Sequence, residues 1–317
     1  MTIARPSPTI EVPPRDLSAW EQGNCGVPFV HRFDSGLPGP TVMVVGLTHG
    51  NEFCGAETLH WALSQGLRPQ RGVLVLAFSN VAAYRSFTIE KPYESRFLDR
   101  DMNRVWRDDW LSSEQTREAA RARELLPFVR QADYLLDIHS TTFAIRPFFV
   151  CANVDRSRDF ALGVGFPRTV LLEGGMPEDK VMVEYGGFAD PKSHKIAVLV
   201  ECGGHFLQST TVAAKAAFLD FLVASGALAA DVAAQHRPTV PEPPAGLYDI
   251  TYVHTAKTDQ LSYAQPFVGF EEVAEGELIA RDGELELRAP YPRCTILFPK
   301  ATPAKGREFV SLARRLD

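Results

Sequence analysis

Apolar residues in this chain fall into short, continuous runs. "TVMVVGL" (41–47) and "VLVLAFS" (73–79) are apolar at nearly every position, as strands covered on both faces are. "YLLDIH" (134–139), "FFVCA" (148–152) and "KIAVLVE" (195–201) repeat that character. Between these runs the period changes. Leu59, Ala62 and Leu63 fit a helix over Glu52–Gln65 that stops at Gly66. A second helix is predicted over Ser112–Arg130, with acidic residues in its first turns, where the helix dipole favours them. Val212, Ala216, Leu219, Leu222 and Val223 form a helical stripe within 209–226. Strands alternating with helices predict an α/β domain with a largely parallel or mixed sheet.

The pattern breaks at "HRPTVPEPPAG" (236–246), which holds four prolines and a glycine. Such a stretch reads as a linker. Beyond it the text turns β-rich, and "GELIARDGELELRAP" carries Asp282-Gly283 between alternating segments, a strong hairpin signal. The predicted organisation is a domain over 1–235, a linker over 236–244 and a small β domain over 245–317. The first dozen residues are Pro-rich and predicted to be extended.

Ligands of open α/β sheets bind beyond the carboxyl ends of the strands, so the residues that close each apolar run matter most. The first run leads into His49, with Glu52 three residues on; "YLLDIH" ends at His139 and "KIAVLVE" at Glu201. Two imidazoles and one carboxylate, with a fourth position open, are the donor set of a catalytic zinc site. A lone His-x-x-Glu is common at helix starts. Here three separate runs each end in one component of the same site, which a chance helix start does not produce. A further stretch, "ESRFLDRDMNRVW" (94–106), sets Arg96, Arg100 and Arg104 around Asn103. Arginine forks suit carboxylates and developing oxyanions. The competing reading is a solvated loop in which Asp99 and Asp101 neutralise the arginines. Asp137 lies two residues before His139 on a strand. It either orients a ligand imidazole or caps a nearby loop. "VLLEGG" (170–175) and "VEYGG" (183–187) read as loops near the cleft. Cys54 and Cys202 read as small buried thiols, and His31, His60 and His254 as structural.

Composition narrows the class. With 317 residues, 45% hydrophobic and 23% charged, the chain is an ordinary globular one able to bury a core without disulfides. The net charge of −6 argues against a general nucleic-acid binder. Five scattered cysteines without a CxxC pair suggest neither a disulfide framework nor a cysteine-only zinc site. The N-terminus has no apolar signal core, and the most apolar long segment, Thr211–Ala230, is interrupted by Lys215 and Asp220. A cytoplasmic protein with no membrane partner is expected, and a homo-oligomer is compatible with this composition.

"GLTHGNE", "SRFLDRDMNR", "LLDIHSTT" and "VLVECGG", in that order, resemble the succinylglutamate desuccinylase/aspartoacylase family of zinc-carboxypeptidase-like hydrolases. The middle motif is the most specific; "CTILFPK" near the end adds a weaker likeness. The resemblance implies a zinc-carboxypeptidase-like mixed sheet flanked by helices, with a small C-terminal β domain. It implies one Zn²⁺ per chain on His49, Glu52 and His139, and Glu201 as general base and then acid. Arg96 would face the scissile carbonyl, and Asn103 and Arg104 would bind a substrate carboxylate. The substrate would be a small N-acylated carboxylic acid, hydrolysed at its amide bond. Two features depart from aspartoacylase. The arginine it carries shortly before its base is missing from "DPKSHKIAVLVE", and its C-terminal tyrosine has no match after "CTILFPK". The alternatives are a zinc carboxypeptidase acting on peptides and a non-catalytic metabolite binder. Glu201 speaks against the binder, which has no need of a general base.

Overall fold

The computed structural model describes residues 1, 3, 7–174, 180–242 and 244–317. Parts of the N-terminal stretch, Gly175 of "VLLEGG" and Pro243 of the predicted linker lie outside those residues. In chain order the strands are β1 (Val30–Asp34), β2 (Thr41–Gly46), β3 (Val73–Phe78), β4 (Tyr134–Thr141), β5 (Phe148–Ala152), β6 (Thr169–Glu173) and β7 (Ile196–Gly204). The later ones are β8 (Gly246–Thr255), β9 (Leu261–Tyr263), β10 (Glu272–Val273), β11 (Leu278–Asp282), β12 (Leu285–Arg288), β13 (Cys294–Leu297) and β14 (Glu308–Arg315). The helices are α1 (Phe53–Ser64), α2 (Val81–Arg85), α3 (Asp108–Ser113), α4 (Arg117–Gln131), α5 (Asp155–Gly163), α6 (Gln208–Ala224) and α7 (Ala230–Ala234).

One mixed sheet runs in the order β1-β3-β2-β4-β7-β5-β6-β8-β14-β13-β10, and a small second sheet in the order β12-β11-β9. The centre, β3-β2-β4-β7, is parallel, and β5 returns antiparallel on β7. Both faces are covered, which explains the continuous apolar runs. Val42, Val44, Leu136, Ile138, Val198 and Val200 pack with residues of α1 and α6 on one side. Met43, Val45, Leu135, Ala197 and Leu199 pack with Ala122, Leu125 and Val129 of α4 on the other. The alternation is the two-residue period of a strand. A third cluster, around Phe267, Ile279, Ile296 and Phe309, fills the C-terminal β segment. That segment is tied to the main sheet, because β8 pairs with β6.

Several sequence expectations are corrected. The helix predicted from Ser112 is two helices: α3 ends at Ser113, Glu114 is extended, and α4 begins after Thr116. The Thr116 side chain accepts the Ala119 N–H at 3.2 Å, so the N-cap lies at Thr116 rather than at the serine pair. "VLLEGG" is not a loop: residues up to Glu173 form β6 between β5 and β8. His139 and Glu201 lie within strands rather than just past their ends, since β4 runs on to Thr141 and β7 to Gly204. The hairpin near Asp282-Gly283 forms, with Asp282 paired to Leu285 and Gly283 in the left-handed region at φ +61°.

Candidate metal centre

The turn after β2 brings the first two donors together. Leu47 adopts a positive φ of 62°, the chain turns through Thr48 and His49, and α1 starts directly after Glu52. α1 sits very close to β2: a Cβ on Gly55 would lie 2.8 Å from the Gly46 Cα. Only glycine fits on either side of that contact. Gly50 performs the same service for the arginine motif, because a Cβ there would sit 2.4 Å from the Ser95 carbonyl oxygen. Its N–H donates to the Arg96 carbonyl at 3.0 Å, which locks that motif onto the His49 turn.

The third donor comes from β4. His139 and Glu201 are register partners on the parallel strands β4 and β7, so their side chains leave the same face. The ligand atoms of His49, Glu52 and His139 all lie within 4.8 Å of one another. Their side chains are 3%, 1% and 2% exposed, burial that such polar groups do not bear without a partner. Both imidazoles turn Nδ1 toward Glu52. His49 Nδ1 is 2.9 Å from Oε1, and His139 Nδ1 is 2.9 Å from Oε2. The far ring edges meet carboxylates too: His49 Nε2 lies 2.9 Å from Asp101 Oδ1, and His139 Nε2 lies 2.8 Å from Asp137 Oδ2. The second contact is a buried ion pair.

These residues fit a metal ion. Zinc donors at about 2.0–2.1 Å from the ion stand about 3.4 Å apart in a tetrahedron, and this trio is already gathered on that scale. Outer carboxylates fix which nitrogen faces inward, as supports of metal-bound imidazoles do. The Asp137 side chain is held in turn by the Thr48 hydroxyl, which donates to Oδ1 at 2.7 Å.

The charges respond to this crowding. Burial alone would raise the Glu52 carboxyl, but the facing His49 and His139 hold it well below the usual range. Burial would likewise raise Asp101, yet His49 and Arg96 hold it well below. Against burial, Asp137 and Glu52 push His139 well above its ordinary value. Glu201 goes the other way. Burial and then the Glu52 charge push its carboxyl up to about 8, and its Oε2 has no hydrogen-bond partner among the described residues.

The arginine motif is not a solvated loop. Met102, Asn103, Val105 and Trp106 are buried. The buried Glu118 of α4 accepts three backbone N–H groups, from Leu98, Asp99 and Arg100, at 2.7, 3.1 and 3.2 Å. Asp99 turns away to pair with Arg117. Arg96 reaches Glu52 Oε1 at 3.1 Å and Asp101 Oδ2 at 3.2 Å. It therefore stands beside the donor trio. Asn103 accepts the Met182 N–H at 3.0 Å, and Arg104 pairs with Glu308 of β14 at 3.1 Å. Arg96 thus stands at the centre, whereas Arg104 is drawn toward the C-terminal strands. Sequence reasoning gave Asp101 only a neutralising part, and passed over Thr48 and Glu308. Asp101 was findable from its place in the motif; Glu308 carries no local signal. Cys54 and Cys202 are buried, as expected. His31 and His254 are buried and hydrogen-bonded, while the half-buried His60 accepts the Trp20 indole N–H.

The molecule is thus an α/β protein whose parallel strands carry a buried His₂Glu trio that could hold a metal ion. Residues 38–217 match the succinylglutamate desuccinylase/aspartoacylase catalytic domain, and the chain belongs to that family. A probable aspartoacylase of Parasynechococcus marenigrum (strain WH8102) is 36% identical over 110 residues, 33% of this chain. That match spans only about a third of the relative, 35% of its length. Among solved structures, the succinylglutamate desuccinylase from Vibrio cholerae superposes with a TM-score of 0.68 at 18% identity, covering 91% of this chain and 86% of that one. The product-bound ectoine utilization protein EutE (DoeB) from Ruegeria pomeroyi gives 0.61 at 18% identity, covering 87% and 85%. At such identities these structures speak for the fold, a mixed sheet flanked by helices.

Proposed function

We propose that the protein is a zinc-dependent amidohydrolase that removes the acyl group from a small N-acyl amino acid. One observation carries the reading: Glu201, whose Oε2 has no hydrogen-bond partner among the described residues, is the register neighbour of His139 in a buried trio of metal-capable donors. His49, Glu52 and His139 would hold one Zn²⁺, which when bound polarises the amide carbonyl and acidifies water.

The chain's own residues do the rest. Glu201 takes a proton from the attacking water and returns it to the leaving amine. Burial raises its proton affinity, and a bound cation beside it would favour the ionised form that the first step needs. Arg96, anchored by Asp101, presents a guanidinium where charge develops on the former carbonyl oxygen. Asn103 and Arg104 bind a carboxylate of the substrate and fix its register. Asp101 and Asp137 hold the imidazoles. The same proposal divides the chain into a catalytic part over 1–235, a linker over 236–244 and a β unit over 245–317 that walls the cleft. A peptide carboxypeptidase would need a cleft open on that side. Cytoplasmic location is part of the proposal; no helix among the described residues is long and apolar enough to cross a membrane.

Purified protein supplied with zinc is to be screened against N-acyl amino acids and short peptides, reading amine release. Turnover of an N-acyl amino acid is expected. Turnover confined to peptides, or to nothing in the panel, would refute the reading.

A further inference from the structure

Ser140 directly follows His139, and its backbone N–H donates to Glu52 Oε2 at 3.1 Å. The pairing of β2 with β4 ends at Gly46 and Ile138, and two residues further on the Glu52 carboxylate takes the place of a strand partner. The other side of β4 is irregular at the same point. His139 pairs with Glu201 and Thr141 with Gly204, so Ser140 alone faces Cys202 and Gly203. Such a bulge re-aims the side chains that follow it. Gly203 takes a φ of +122°, which glycine tolerates and other residues rarely do. The shift by one residue turns His205 to the face of Ser140, away from the face shared by His139 and Glu201.

His205 is held from several sides. Its Nδ1 lies 2.7 Å from Ser140 Oγ, and its N–H donates to the Thr141 carbonyl at 2.8 Å. The Thr141 hydroxyl donates to the Gly203 carbonyl at 3.1 Å, and the Thr210 hydroxyl to the Gly204 carbonyl at 2.7 Å. Ser140 and His205 are both buried. The Ser140 hydroxyl has no other acceptor among the described residues, so it donates and Nδ1 accepts. That requires a ring without a proton on Nδ1. Burial pushes the imidazole down to about 4 against the Glu52 charge, so the ring is neutral near pH 7 and adds no charge to the centre.

We propose that His205 is a positioning residue for the metal centre, acting through Ser140 to hold the backbone N–H that fixes Glu52 Oε2. The need for such a clamp follows from the contacts of Glu52. Its oxygens face Nδ1 of His49 and of His139 at 2.9 Å each. An ion held by those nitrogens takes both contacts away. The Ser140 N–H on Oε2 and Arg96 on Oε1 then remain to orient the carboxylate. A support behind a ligand tunes affinity without touching the ion.

This inference rests on the proposed metal site, but its test separates the two. Hydrogen exchange of the amide at position 140 is to be followed by NMR, without added metal, in wild type, His205→Leu, His205→Asn and Ser140→Ala. His205→Leu and Ser140→Ala should each speed exchange there about 10-fold, as loss of one hydrogen bond's support does. The Leu136 and Ile138 amides of the same strand should stay within about 2-fold. His205→Asn carries an amide near the place of Nδ1 and should recover most of the protection. The double variant Ser140→Ala/His205→Leu should be no worse than either single one, because both remove the same bond. Zinc affinity, by competition with a chelator, should fall about 10-fold in His205→Leu and in Ser140→Ala. Unchanged exchange at position 140, equal acceleration along β4, or additive effects in the double variant would overturn the proposal. Should His205→Leu fail to fold, Ser140→Ala removes the same bond by deleting one hydroxyl and carries the test. If wild type takes up no zinc, the proposed function fails, and the exchange comparison still decides the role of His205.

Discussion

Asp101 Oδ1 lies 2.9 Å from His49 Nε2, on the ring edge opposite Glu52. The same carboxylate pairs with Arg96 and caps the turn at Asn103 by accepting its N–H at 2.9 Å. One side chain thus joins the metal-capable trio, the arginine beside it and the turn that carries Asn103 and Arg104. Asp101→Ala should therefore loosen all three. Zinc affinity is expected to fall about 10- to 100-fold, the usual cost of removing a support behind a ligand histidine. Competition with a chelator of known affinity measures it. A variant that holds zinc as tightly as wild type would show that Asp101 serves the turn alone.

Glu201→Gln keeps the shape of the side chain and removes its basicity. The variant should bind zinc normally while turnover drops about 10²-fold or more. His139→Ala, one strand away, should lose the metal itself. Metal analysis and steady-state rates on both proteins separate base from ligand. Loss of zinc in Glu201→Gln would make Glu201 a ligand or a fold element.

Arg96 and Arg104 share one motif but different surroundings, and their variants should behave differently. Arg96 stands against Glu52 and Asp101, beside the centre. Arg96→Ala should lower kcat about 10²- to 10³-fold, as loss of an oxyanion donor does. Arg104 pairs instead with Glu308 of β14. Arg104→Ala should mainly raise KM, as removal of binding common to ground and transition states does. Steady-state kinetics on the best substrate of the panel, with zinc content checked, tests the split. A KM effect alone in Arg96→Ala would remove it from the reacting centre.

The whole motif depends on Glu118, which receives three backbone N–H groups from one loop while almost wholly buried. Glu118→Ala leaves those donors without a partner. A loss of about 3 kcal/mol or more is expected, at about 1 kcal/mol or above for each stranded donor. Denaturant unfolding measures it, and a change below about 0.5 kcal/mol would mean that water or another group replaces the carboxylate.

The sequence alone determined the central strands, because strands covered on both faces must be apolar at every position, and "TVMVVGL" or "KIAVLVE" admits little else. It also determined which groups stand near the sheet's carboxyl edge, since His49, Glu52, His139 and Glu201 interrupt or close those runs. Their meeting required the strand order. His139 and Glu201 are 62 residues apart in the chain, and only the β4–β7 register makes them neighbours. The role of Asp101 depended on a loop whose path Glu118 dictates from a distant helix. The contact between Arg104 and Glu308 depended on β14 reaching the site through pairing with β8, itself laid against β6. Local pattern reports what each residue must avoid, such as burial without a partner. Which partner satisfies it is decided by packing between segments far apart in sequence, and no short window of sequence contains that.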